Sequence, residues 1–163
     1  MTGVQTCALP IFGYLVASVA VGALIGAIAM TLSGMRVELA RMMIVAGVIW
    51  HIFVLAFAQV ETMVWAIVML TLCGFTQSLT MVCHTVILLR STNAQYRGRV
   101  MGVRMLAIYS LPLGLLLAGV LINWIGFHAT ASLYAVVGLF FTVLIAYRWR
   151  AVLWHGGNAQ DGV

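Results

Sequence analysis

Lysine is absent from this sequence, acidic residues number 3, and charged residues of all kinds make up 7% of the chain. A soluble domain carries about 25% charged residues. The scarcity excludes a water-soluble globular domain, and a hydrophobic content of 64% agrees with it. The net charge of +5 comes from 8 arginines scattered between long apolar runs. They form no basic face, which argues against nucleic acid as a partner. Cysteine is also sparse, at 3 residues. Cys73 and Cys83 would stand ~15 Å apart along one helix, beyond bridging distance, so no disulfide framework is expected. Metal-ligand spacing among Cys and His, a phosphate-cradling glycine loop and a nucleophile motif are all missing from the sequence. These absences predict a protein that is not an enzyme and takes no metal or cofactor. The 10 methionines, among them Met30, Met42, Met43, Met63, Met69 and Met81, are spread over several apolar runs and read as adaptable packing.

Residues 1–11, MTGVQTCALPI, match the translation of a common short-read sequencing adapter without interruption through Ile11. They are set aside from fold reasoning, and the natural chain is expected to extend upstream of Phe12. A signal peptide is not expected either, because no basic residue precedes the first apolar run and that run is too long.

What remains is dominated by apolar stretches of about 20 residues, the length that crosses ~30 Å of hydrocarbon as a helix. They fall near 12–33, 42–59, 62–89, 100–122 and 129–149. Open strands are excluded in lipid because each backbone polar group must be paired within its own segment. The fold class expected is therefore all-α, a polytopic membrane bundle of five transmembrane helices over residues 12–153, with a short disordered cytoplasmic tail at 154–163. The third span exceeds what a bilayer requires and is expected to tilt or to extend its inner end into water.

Alternating the spans puts Arg36 and Arg41, then Arg90, Arg97 and Arg99, then Arg148 and Arg150 on one side. Arg104, inside the fourth span, can snorkel back to that side. The opposite connections, Gln59–Glu61 and Asn123–His128, contain no arginine. By the positive-inside rule the arginine side is cytoplasmic, Phe12 begins outside and the C-terminus is inside. Trp65 and Trp124 sit near the outer boundary, as interfacial aromatics do, whereas Trp50 is mid-span.

The segment from Leu89 to Gly126 resembles the tenth-to-eleventh helix region of major facilitator superfamily transporters, most closely the bacterial branch of enterobactin-exporter-like efflux permeases. The features that carry the likeness are Arg97-Gly98-Arg99-Val100-Met101, then Pro112, Gly114 and Gly119. Phe12 to Leu32 is similar to the eighth helix of that branch, with Gly22-Ala23-Leu24-Ile25-Gly26 at its centre. The resemblance implies that the chain is helices eight to twelve of twelve, without helix seven and the N-terminal half. It also implies a bacterial inner-membrane location, alternating access, and efflux of a drug-like or siderophore-like small molecule. Its partners would be the bilayer, that substrate and the missing half of the same chain. The family's acidic residue before the basic cluster after helix eight is absent from Ser33-Gly34-Met35-Arg36, leaving Glu38 as a substitute.

Gly22 and Gly26, with Ser18 one turn earlier, make a small-xxx-small ridge suited to close helix packing. Gly114 and Gly119 suggest the same, and Pro112 adds a bend that serves as a hinge. In the third span Thr71, Gly74, Ser78 and Thr85 share one face, while Gln77, Thr80 and His84 share the next. Such polar groups line a cavity or bond between helices. Thr71, Gln77, Ser78, Thr80 and His84 are the substrate-cavity candidates, Gln77 foremost because the resemblance sets this helix beside a central cavity. His51, on a helix the resemblance makes peripheral, is expected to be neutral and bonded to a neighbouring helix. Arg97, Arg99, Arg104 and Glu38 are topology determinants to which the resemblance adds an inner-gate role. No carboxylate lies within an apolar run. A different class remains open: a non-transporting membrane anchor or assembly subunit. A permease subunit of an ATP-driven pump requires a longer cytoplasmic coupling segment than these inner loops provide.

Overall fold

The computed structural model describes the backbone of residues 3–32 and 38–148 and the side chains of residues 10–32 and 38–148. The expected tail at 154–163, Arg150 and the loop containing Ser33 to Arg36 lie outside the described residues. Within them the chain is helical, with no strand: α1 (Gly3–Leu32), α2 (Leu39–Phe57), α3 (Met63–Ser91), a short 3₁₀ turn (Ala94–Tyr96), α4 (Arg97–Ile108), α5 (Leu111–Ile125) and α6 (Phe127–Arg148). Because α4 and α5 form one run, five helical spans are long and apolar enough to cross a membrane. The first spanning stretch is Pro10–Leu32, close to the expected 12–33, and the α1 helix itself continues back through Pro10 to Gly3. Pro10 lacks an N–H and leaves one rung of that helix unmade.

α3 is the axis of the bundle. It packs against α1 on one side and α2 on another, and α6 closes on α2. Gly22, Gly26 and Gly74 explain the first contact. A Cβ at Gly22 would collide with the Thr71 carbonyl, one at Gly74 with the Val19 carbonyl, and one at Gly26 would stand 2.7 Å from the Phe75 carbonyl oxygen. The pairs 22 with 71 and 26 with 75 ascend together, so α1 and α3 run parallel with backbone against backbone. This is the close approach that small residues permit in lipid. The contacts of Gly47 with Thr142 and of Gly138 with His51 show α2 running antiparallel to α6, and the short connection 58–62 turns the chain back so that α3 packs antiparallel to α2.

Few side chains are buried. Met30, Ala46, Leu79 and Cys83 form a small core where α1, α2 and α3 meet, with Met42, Met43 and Phe75 against it. The large apolar residues of α5 face outward, Leu111, Leu113, Leu115, Leu116 and Leu117 among them. An exposed apolar surface of this extent is tolerated against hydrocarbon and would drive association in water.

The fourth span departs from a regular helix at Tyr109 and Ser110, which keep helical φ but carry ψ of −6° and −12°. The Pro112 ring displaces the carbonyl four residues before it and offers no N–H. The ladder restarts on Ser110, whose carbonyl accepts from Leu113 and Gly114. The close packing expected at Gly114 and Gly119 is absent among the described residues: a Cβ at either meets nothing within 4 Å. α5 instead holds α6 through the Tyr134 hydroxyl, which donates to the Gly114 carbonyl at 3.2 Å.

Candidate functional site

The site lies between α2, α3 and α6. α2 presents Met43, Ile44, Gly47, Trp50 and His51 at helical spacings of three and four. α3 presents Gln77, Thr80, Met81 and His84, and α6 adds Thr142 and Ile145. Together they line an open-sided cavity of about 300 Å³ with mostly apolar walls, at the lower end of the range for small-molecule sites. It runs from the middle of α2, at Trp50 and His51, toward the arginine end, at Met43 and His84.

Gly47 and Gly138 make the space. A Cβ at Gly47 would already touch the methyl groups of Thr142 and Thr80, at 3.7 and 4.0 Å, and one at Gly138 would collide with the His51 ring. The imidazole is therefore held between the helices. Its Nδ1 lies 2.7 Å from the Gly47 carbonyl oxygen. A carbonyl only accepts, so Nδ1 carries the proton and donates within α2. This corrects the expectation of a bond to a neighbouring helix. Within this chain α2 touches both α3 and α6 and lines the cavity. Trp50 meets the same imidazole edge to face, with ring centroids 4.8 Å apart.

The five cavity candidates divide between two faces of α3. Gln77, Thr80 and His84 come together on the cavity. Thr71 and Ser78 lie on the other face, against Gly22 and Gly26 of α1, and are not among the residues lining it. The threonine hydroxyls make no bonds between helices: Thr71 donates to the Ile67 carbonyl at 2.8 Å, Thr80 to Thr76 at 2.9 Å and Thr142 to Gly138 at 2.8 Å. Such back-bonding satisfies the hydroxyl inside its own helix and turns the Thr80 and Thr142 methyls toward Gly47. Gln77 and His84 differ. Neither has a hydrogen-bond partner among the described residues, and both line the cavity. An amide and an imidazole with unused donors and acceptors in an apolar pocket can orient a ligand that supplies the complement.

The loop residues stay apart. Glu38 pairs with Arg41 on its own helix at 2.8 Å. The Arg97 Nε donates to the Thr92 carbonyl at 3.4 Å, and the Arg99 guanidinium lies 5.9 Å from the Tyr96 ring centroid. Neither arginine meets Glu38, since each is occupied by its own connection. Arg104 reaches across from α4 to α3, where its guanidinium lies 3.9 Å from the Met81 sulfur. At the opposite end a clasp joins α2 to α6: the His128 ring bonds the Ala58 carbonyl, and the Gln59 amide donates to the Ser132 hydroxyl at 3.0 Å. Sequence reasoning missed Gly47, Trp50, Gly138 and Thr142 as members of the site. The pairs Gly47–His51 and Gly138–Thr142, each spaced by four, were the available signal. No group of three or more His, Cys, Asp or Glu among the described residues is placed to hold a metal.

No family model, curated protein or solved structure matches the chain.

Proposed function

We propose that these five helices are part of a secondary active transporter, an efflux permease of major facilitator type, and that the cavity between α2, α3 and α6 takes the transported small molecule. The observation that carries this reading is Gln77 and His84, unpartnered polar side chains facing an apolar space of about 300 Å³ between spanning helices. Transporter sites of this kind lie between helices near the membrane midplane and are exposed alternately by rocking of rigid bundles. The likeness of Leu89–Gly126 to the tenth-to-eleventh helix region of that superfamily gives the mechanism its type. On this reading the arginine end faces the cytoplasm of a bacterial inner membrane, with the C-terminus on the same side. An opposing bundle, supplied by preceding helices of the same polypeptide, completes the substrate path.

The test has two arms. Everted vesicles bearing only the 163-residue chain are expected to accumulate no substrate above empty vesicles. The product of the complete reading frame is expected to transport and to lose transport when Gly47→Leu fills the cavity. Accumulation by this chain alone, or a native start codon directly before Phe12 in place of further in-frame spans, overturns the reading and favours a non-transporting anchor.

A further inference from the structure

The charges around the cavity point to the sign of its ligand. Among the described residues the only carboxylates are Glu38 and Glu61. Glu61 belongs to the α2–α3 connection at the opposite end of the bundle, and Glu38 is neutralised by Arg41 at 2.8 Å. Neither lines the cavity. The titratable groups that do are two imidazoles, His51 and His84, and His51 Nδ1 is taken by the Gly47 carbonyl. A permanent cation, itself outside the lining, touches one wall residue. The Arg104 guanidinium is 3.9 Å from the sulfur of Met81, itself a wall of the cavity and one helical turn from His84. The remaining unsatisfied wall groups include the Gln77 amide, which offers a donor and an acceptor, and the Trp50 indole N–H, a donor only. An organic cation entering this space would find no counter-charge and a guanidinium nearby, and in a low-dielectric surrounding that costs several-fold more than in water.

We propose that the cavity selects small amphipathic anions, with the carboxylate or other acidic head toward His84 and Arg104 and an aromatic or branched apolar body against Trp50, Met43 and Ile145. This rests on the cavity being the small-molecule site put forward above, and it names the ligand class.

The test uses the product of the complete reading frame in phosphatidylcholine nanodiscs and three probes of one shape: 2-naphthoate, 2-naphthylmethanol and 2-naphthylmethylammonium. Each is measured by equilibrium dialysis against empty discs. Naphthoate is expected to bind about tenfold more tightly than the ammonium probe, a difference of ~1.4 kcal/mol. Arg104→Gln is expected to erase most of that preference and Arg104→Lys to keep it. Gly47→Leu, or Thr80→Leu should the first variant fail to fold, is expected to abolish specific binding of all three. Equal binding of anion and cation, or preference for the cation, while the cavity-filling variants still remove binding, overturns the charge selectivity and leaves the cavity as the site. Binding that survives both cavity-filling variants, or no binding of any probe above empty discs, overturns the selectivity and the transporter site together.

Discussion

Glycine 22 shows how much one missing methyl group decides. α1 and α3 meet there with no side chain between them, and the carbonyl of Thr71 occupies the place a Cβ would take. Backbone cannot rotate aside as a flexible side chain can. Gly22→Ala is therefore expected to destabilise the bundle by roughly 1–3 kcal/mol, the usual cost of overpacking. Gly119→Ala, which meets nothing within 4 Å, is expected to stay within about 0.5 kcal/mol of the parent. Equilibrium unfolding in mixed micelles compares the two, and equal effects would contradict the seam. The spacing of Gly22 and Gly26 announced such a seam in the sequence, but not its partner. That Gly74 completes it depends on the rotation of α3, which no local pattern specifies. His51 is the converse case. Its position was plain and its bond to Gly47 is local to α2, while its seat against Gly138 follows from how α6 docks.

At the scale of elements, the five spans were legible because lipid-crossing length and apolar continuity are properties of composition along the chain. The interruption at Tyr109 and Ser110 was legible too, through Pro112. What composition does not carry is which face of α3 looks where. Thr71 and Ser78 are as polar in sequence as Thr80, yet they face α1 while Thr80 faces the cavity. Hydroxyls that bond their own helix are indifferent to the choice, so packing at glycines settles it. The broken span makes a prediction of its own. Pro112→Ala restores the N–H that the Ile108 carbonyl lacks and removes the ring that opens ψ at Tyr109 and Ser110. Spin labels at Val103 and Val120 are expected to move apart toward the ~25 Å of a continuous helix, with a narrower distance distribution. An unchanged distribution would show that the interruption does not depend on proline.

At the scale of the whole molecule, the antiparallel order of α2, α3 and α6 gathers Arg41, Arg90, Arg97, Arg99 and Arg148 at one end of the bundle and leaves the connection 58–62 without arginine. With native cysteines removed, Thr62→Cys is expected to react with a membrane-impermeant maleimide added to intact cells, and Thr92→Cys only after permeabilisation. Labelling of Thr92→Cys from outside would reverse the orientation. The parallel pairing of α1 with α3 also orders events in time. α1 leaves the ribosome before its mate exists, and the chain must turn back through α2 before the matching groove is made. Until then its bare glycine ridge stays with lipid or with the insertion machinery, so slow synthesis of α3 prolongs the interval in which α1 is open to degradation or to pairing with the wrong neighbour.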